Sequence, residues 1–335
     1  MTARILVTGA AGFIGSFVSR ELVSRGYEVV GIDSISDYYS TQLKEVRLES
    51  LQDLDRFVFA KIDISSKSAV SGLFQNFKFD GVIHLAAQAG VRLPLGDAYR
   101  YVDSNILGFH NIFSNTLESE VRNFLYASSS SVYGDESPIP YTETSKLLSP
   151  KSFYGATKLT NELEAKHLGF GHNTSIRGVR FFTVYGPWGR PDMAYFRLMA
   201  AALGHHEFTL YGDGRVQRDF TFIDDVCQTT VDLYENLNST TNKVNDIVNI
   251  GGQRPLSMNF LIDEVKRVSG NRIQIGIDVA NISDSMTTMA DNSFLTALIG
   301  KRSFTPLEQG ISKFYSWMSQ PHVEKYVGDW IKSSI

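Results

Sequence analysis

The chain has 335 residues, 43% of them hydrophobic and 20% charged, with a formal net charge of −4. That length suits one large α/β unit or two domains, and the acidic balance argues against a nucleic-acid or anionic-membrane surface. A single cysteine, Cys227, excludes an internal disulfide and a cysteine metal cage, and the seven histidines lack zinc-type spacing, so no metal is expected. The N-terminus runs from Arg4-Ile-Leu-Val-Thr straight into a glycine-rich turn. It has no signal-peptide pattern, and no apolar run is long enough to cross a bilayer. A reducing cytoplasm is the expected location.

Short β-branched runs at 5–8, 28–33, 56–63, 81–86, 123–128 and 175–182 predict strands, and amphipathic stretches at 13–25, 66–77, 100–117 and 153–168 predict helices between them. That alternation implies right-handed crossovers and a parallel sheet. The fold class is therefore α/β, a Rossmann-like doubly wound sheet. Past residue 180 the pattern breaks into shorter pieces: helices near 192–203, 224–236, 257–268 and 307–318, and strands near 207–211 and 247–250. These predict a smaller lobe over the carboxyl ends of the main strands, giving a cofactor domain at 1–180 and a mainly substrate-binding lobe at 181–335, with some of its segments returning to the cofactor domain. The polar stretch 238–246 predicts a surface loop.

Thr8-Gly-Ala-Ala-Gly-Phe-Ile-Gly15 follows the first strand and opens a helix. Gly9, Gly12 and Gly15 in that context allow a tight turn and close backbone approach to a pyrophosphate at the helix N-terminus. Asp33 ends the second strand twenty-four residues after Gly9, where its carboxylate suits ribose hydroxyls and repels a 2′-phosphate. NAD is therefore expected over NADP. Asp63, ending the third strand, has two readings: a partner for the adenine amino group, or a solvated strand-end carboxylate.

Tyr154-Gly-Ala-Thr-Lys158 puts a phenol and an amine at i and i+4 on one helical face, where the ammonium is expected to favour phenolate. A phenolate is a base for oxidising a sugar hydroxyl. Upstream, Ser-Ser-Ser-Ser-Val-Tyr-Gly (128–134) supplies neutral donors and acceptors at a strand end. Ser128 is expected to satisfy backbone groups, and His84 to be a satisfied buried histidine.

With these residues in place the chain resembles the extended short-chain dehydrogenase/reductase family of nucleotide-sugar enzymes, from about residue 4 to residue 320. His84-Leu-Ala-Ala-Gln-Ala-Gly-Val-Arg92, Tyr101-Val-Asp-Ser-Asn105, the run from Arg180 to Met193 ending Gly-Pro-Trp-Gly-Arg-Pro-Asp-Met, and Arg218-Asp-Phe-Thr-Phe-Ile-Asp-Asp225 look most like UDP-glucuronate 4-epimerases. Asp37-Tyr-Tyr with Leu43-Lys44 and Arg47-Leu48 fits the same subgroup.

The resemblance implies that Ser129 hydrogen-bonds the reacting oxygen, Tyr154 is the base, and Lys158 also binds the nicotinamide ribose. It implies NAD contacts from Phe13, Ile14, Ile64, Leu85, Ala86 and Ala87, with Asn105 packed near Lys158. On the substrate side it implies Arg92, Ser130, Ser131 and Thr183. Arg190 either grips a uronate carboxylate or is paired within its loop. Arg218, and more weakly Arg215, either binds the diphosphate or pairs with Asp224 or Asp225. Tyr211 or Phe208 either walls the uracil or fills the core. A homodimer through helices 100–117 and 153–168 is also implied, with Ile106, Phe109, Ile112, Leu159 and Leu163 as apolar candidates. Gln217, where the subgroup has a basic residue, and Ser283-Asp-Ser-Met286 depart from the pattern and bear on nucleotide binding.

The implied activity is C4 epimerisation of a UDP-sugar, most closely UDP-glucuronate to UDP-galacturonate, with NAD retained. Neutral UDP-hexose or UDP-N-acetylhexosamine epimerisation, decarboxylation of UDP-glucuronate, and an NAD-bound sensor or scaffold are the alternatives. A 4,6-dehydratase needs two carboxyl groups where this chain has Ser130 and Ser131.

Overall fold

In the computed structural model, residues 2–91, 93–279 and 285–333 are described. The first half alternates as predicted: β1 (Arg4–Thr8), α1 (Phe13–Ser24), β2 (Glu28–Asp33), α2 (Thr41–Gln52), β3 (Phe57–Lys61), α3 (Lys67–Asn76) and β4 (Gly81–His84). Next, α4 (Tyr99–Tyr101) passes through a π-helical turn, Val102–Gly108, into α5 (Phe109–Glu118), followed by β5 (Asn123–Ser129), α6 (Phe153–Leu168) and β6 (Ser175–Phe181).

The second half holds β7 (Thr183–Tyr185), α7 (Ala194–Ala202), β8 (Phe208–Tyr211), β9 (Gln217–Phe222), α8 (Ile223–Ser239) and β10 (Asn245–Ile250). After these come β11 (Pro255–Ser257), α9 (Met258–Ser269), β12 (Ile275–Asp278), α10 (Ser293–Ile299), α11 (Leu307–Met318) and α12 (Pro321–Lys332).

The main sheet is parallel with the order β10-β6-β5-β4-β1-β2-β3. Its central strands are buried on both faces, so β1 and the middle of β5 read as continuous apolar runs, while β6 buries Arg177 and Arg180 in ion pairs. Ile5, Val7, Ile83 and Leu125 join one core, while Leu6, Val82, Phe124 and Tyr126 join the other. The chain order reverses between β1 and β4, and the crevice at such a switch point, outside the strands' carboxyl ends, is where α/β sheets bind ligands.

Three features differ from the sequence expectations. The strand expected in the lobe at 247–250 is β10, the edge strand of the main sheet beside β6, and α8 packs against α1. The polar loop shrinks to the few residues between α8 and β10. Helix α2 was not predicted, because two of its buried positions are the cations Lys44 and Arg47, which break the apolar stripe formed by Leu43, Leu48 and Leu51. No helix among the described residues is long and apolar enough to cross a membrane.

Candidate active site

A cleft of about 1030 Å³ opens between the strand ends of the main sheet and the C-terminal segments. Gly9, Gly12, Phe13, Ile14, Gly15, Asp33, Asp63, Ile64, Leu85, Ala86 and Ala87, the residues proposed to contact the cofactor, all line it. The glycines are required sterically. Gly9 has φ +73°, and a Cβ there would lie 2.8 Å from the amide nitrogen of Ala86, while one at Gly15 would lie 2.0 Å from the Gly9 oxygen. Gly12 caps α1 without a side-chain hydrogen bond, so the first amides of the helix face the cleft as an anion site.

Asp33 accepts from Ile35 N at 2.8 Å and from Ala11 N at 3.2 Å, one bond per oxygen, leaving lone pairs for hydroxyl donors. Asp63 accepts from the Ser65 amide and hydroxyl through Oδ1, so it braces the β3 turn while lining the cleft. These residues fit a dinucleotide: the backbone approach, the open helix end and the acid coincide at one end of the cleft.

His84 lies outside the chemistry, as expected. Thr8 Oγ1 accepts from the amides of Leu85 at 3.1 Å and Ala86 at 3.0 Å, so its proton points to His84 Nδ1 at 2.8 Å. Burial, with the Lys158 charge adding to it, pushes the His84 pKa down to about 3, and the ring is a neutral strut against Phe109 and Phe124.

At the centre of the cleft stand Ser129, at the end of β5, and Tyr154 and Lys158, on α6. Ser152 caps α6 by accepting from Gly155 N at 3.1 Å. Gly155 is needed one turn in, since a Cβ would sit 2.5 Å from the Ser131 oxygen. Lys158 Nζ donates to Ala127 O at 3.0 Å, and burial lowers the amine to about 8. Burial raises the Tyr154 phenol, while the Arg190 charge and a hydrogen bond with Ser129 pull it down. The Lys158 amine is turned to the Ala127 carbonyl and is itself desolvated, and the Arg190 charge favours the phenolate.

The expectations for one serine and one asparagine change. Ser128 donates to Glu162 Oε1 at 2.5 Å, not to backbone, and Glu162 is held by Arg180 in a buried pair at 2.7 Å. Asn105, expected at the cofactor, does not line the cleft. Its side chain bridges the Gln88 backbone at 2.8 and 3.1 Å and Thr157 Oγ1 at 3.0 Å, and its own carbonyl, in the wide π turn, accepts from Asn161. Asn105 thus fastens the loop after β4 to the helix that carries Tyr154.

On the substrate side Ser130, Ser131, Thr183, Arg190 and Arg218 line the cleft. Arg92 and Ser283 lie outside the described residues. Of its two alternatives, Arg190 shows the pairing within its loop: its guanidinium binds Asp192, whose carboxylate also accepts from Tyr38 Oη at 3.2 Å, while the residue lines the cleft and its charge lowers the Tyr154 phenol. Its loop is strained, because Trp188 has φ +61°, which costs a bulky residue about 1–2 kcal/mol. Arg218 donates to Gln217 O at 2.9 Å and Ser285 O at 2.7 Å; neither Asp224 nor Asp225 takes it, and Asp225 instead accepts from Thr305. Arg215 pairs with Asp213 on the surface, away from the cleft. Gln217 accepts from Thr287 Oγ1 at 3.2 Å, so the departure at this position serves the single bridge between β9 and the segment around Thr287. Both Phe208 and Tyr211 line the cleft; Phe208 is also packed into the core, while Tyr211 is partly exposed.

Residues 5–251 match the NAD dependent epimerase/dehydratase family. The chain belongs to this family. It is 36% identical over 316 residues to a UDP-glucuronate 4-epimerase of Thermodesulfobacterium geofontis, covering 94% of this chain and 96% of that one. It is 34% identical over 331 residues to a probable UDP-glucuronate 4-epimerase of Rhizobium meliloti, covering 95% and 97%. Its fold superposes with a TM-score of 0.86 on the crystal structure of UDP-glucuronic acid 4-epimerase from Bacillus cereus in complex with UDP-glucuronic acid and NAD, at 34% identity, covering 95% and 99%.

Within this epimerase/dehydratase frame, sequence reasoning missed Arg197. It lines the cleft from α7, and its Nε is buried with no hydrogen-bond partner among the described residues. A donor left so is costly unless a ligand acceptor reaches it. The signal was a lone arginine inside the apolar helix Ala-Tyr-Phe-Arg-Leu-Met-Ala-Ala-Ala. Tyr38, Asp192 and Gln88 were also missed as cleft residues; each reaches the site through a loop whose path the local sequence does not encode.

Proposed function

We propose that the protein interconverts UDP-glucuronate and UDP-galacturonate by reversible oxidation at C4. The observation that carries this reading is the convergence of Ser129, Tyr154 and Lys158 on one cleft that is also lined by Arg190 and by the hydroxyls of Ser130, Ser131 and Thr183. NAD, when bound, supplies the acceptor and donor of the C4 hydride. Tyr154 Oη takes the 4-hydroxyl proton and later returns it, and Ser129 hydrogen-bonds the same sugar oxygen. Lys158 orders the ribose side of the cofactor end. Epimerisation needs the oxidised sugar to present its other face, so the sugar must be held loosely and the nucleotide firmly. Arg197 and Arg218 are the residues assigned to the diphosphate.

A uronate oxidised at C4 is a β-keto acid, which loses carbon dioxide when its carboxylate bond aligns with the carbonyl π system. Ser130, Ser131, Thr183 and Arg190 are assigned to holding that carboxylate out of alignment through charge-assisted hydrogen bonds. Residues 1–180 carry most of the cofactor contacts in this reading, and the segments after 181 most of those to the UDP-sugar. A homodimer belongs to it as well, supported by the exposed side chains of Leu107, Leu163 and Leu168 on α6 and the turn leading into α5. A cytoplasmic setting is supported by the lone, buried Cys227.

Incubating the purified protein with UDP-glucuronate and a panel of neutral UDP-sugars, with products identified by NMR, tests the assignment. The C4 epimer of the uronate is the expected product. A UDP-pentose with carbon dioxide would reassign the protein as a decarboxylase, and turnover confined to neutral hexoses would remove the carboxylate contacts from the account.

A further inference from the structure

Arg47, on α2, is 2% exposed, and all five of its N–H groups are engaged by neutral oxygens. Nε and one Nη2 proton go to Trp188 O at 3.0 and 2.5 Å, and the other Nη2 proton goes to Gly189 O at 2.9 Å. Nη1 reaches Ala11 O at 3.2 Å and Tyr39 Oη at 2.7 Å. Ala11 belongs to the glycine-rich turn, and its own amide is the one that binds Asp33. Trp188 and Gly189 directly precede Arg190. One side chain therefore spans the cofactor cradle and the loop that presents the substrate-facing guanidinium.

The loop needs a clamp. Trp188 sits in the left-handed region, and a Cβ at Gly189 would lie 1.9 Å from Tyr195 Oη, so the turn is pressed tightly against α7. Among the described residues only carbonyls and the Tyr39 phenol bind the buried guanidinium of Arg47, so the bridge is formed by dipoles carried on the two loops. From this geometry we infer that Arg47 is a positioning residue that couples the two ends of the cleft, so that NAD in the cradle sets the position of Arg190 and UDP-glucuronate held at Arg190 tightens the cradle on NAD. The inference rests on the reading that Arg190 meets the uronate. Such coupling is reciprocal by thermodynamic necessity.

The chain's three tryptophans provide a readout. Trp188 packs on Trp317 with centroids 5.0 Å apart, and Trp317 stacks on Trp330 at 6.3 Å, so intrinsic emission reports on the loop that Arg47 holds. The test compares the NAD-loaded wild type with Arg47→Lys and Arg47→Met. It measures the rate of NAD release alone, with saturating UDP-glucuronate, and with UDP, and follows tryptophan emission through each titration. In the wild type UDP-glucuronate is expected to slow NAD release on the order of tenfold and to change the emission. In both variants that ratio is expected to fall to about one, since a single ammonium cannot span carbonyls on two loops.

Equal slowing by wild type and variants, with only a lowered melting temperature, would reduce Arg47 to a fastener and overturn the proposal. Slowing by UDP alone as large as that by UDP-glucuronate would overturn the route through Arg190. Absence of any linkage in the wild type overturns it without a variant, should Arg47→Met fail to fold. Linkage present while no epimer forms would refute the proposed reaction and leave the coupling standing.

Discussion

Lys158 Nζ donates to Ala127 O at 3.0 Å, tying the amine of α6 to the end of β5 in a desolvated position. The amine is lowered from 10.5 to about 8, so the folded protein resists carrying this charge more than the unfolded chain does. Between those two values the unfolded state binds more protons, and stability rises with pH. Below about pH 8 the full penalty is present. Relative to Lys158→Met, the wild type is expected to gain stability between pH 8 and 10.5, by at most about 3 kcal/mol. Chemical denaturation of both proteins across that window measures it, and a constant difference would show the amine to be charged throughout.

Tyr154→Phe removes the base and leaves the ring packing intact. Turnover is expected to fall roughly 10²–10⁴-fold, with NAD and UDP-glucuronate still bound. Because burial raises the phenol, the wild-type chemical step should accelerate with rising pH as the phenolate population grows. Single-turnover rates across pH check both statements, and an active phenylalanine variant would end the assignment.

Arg190→Ala has two separable effects. Loss of a charge-assisted contact should reduce kcat/KM for UDP-glucuronate by about 10–100-fold, while neutral UDP-sugars lose only what the altered phenol costs. Arg190 also lowers Tyr154, so the alkaline rise of the rate should move to higher pH for every substrate. Carbon dioxide release from UDP-glucuronate should increase as a fraction of turnover. Equal losses on charged and neutral sugars would take the carboxylate away from Arg190.

Glu162 accepts from Ser128 and pairs with Arg180 beneath the catalytic helix, both charges being almost fully buried. Glu162→Gln leaves a buried guanidinium uncompensated, and a loss of about 3–5 kcal/mol in folding stability is expected. Ser128→Ala should cost less, about 1–3 kcal/mol. Denaturant titration ranks the two, and the reverse order would argue against the pair as the dominant element.

Leu163 and Leu107 are each about half exposed, at 51% and 49%. If they face a second copy, Leu163→Asp should convert a dimer into a monomer in sedimentation velocity without a change in secondary structure. A wild type that sediments as a monomer at every concentration would dismiss the dimer.

The cradle was legible because its signals are local: a β-branched run, three glycines at fixed spacing, then an acid at the next strand end. The Tyr154 and Lys158 pair was legible because helical periodicity alone puts them on one face. Which apolar residues of α5 pack internally was not, and Phe109 and Ile112 prove to be the ones that fill the core against β4 and β5. A helix with apolar residues on both flanks does not announce which flank the sheet takes. Lys44 and Arg47 hid α2 because burial of a cation is decided by carbonyls on other segments, in this case those of Ser36, Trp188 and Gly189. Likewise Arg190 was read as either paired or substrate-facing, whereas its tie to Asp192 leaves the guanidinium in the cleft.

The seventh strand of the main sheet, β10, is recruited from more than sixty residues beyond its neighbour β6. During synthesis, β6 therefore waits with a bare edge of unpaired backbone groups until residue 250 has left the ribosome. Open edges of this kind invite pairing with other chains. A fragment cut at residue 180 would keep every glycine of the cradle and still lack the strand that covers β6, so it is expected to be prone to aggregate.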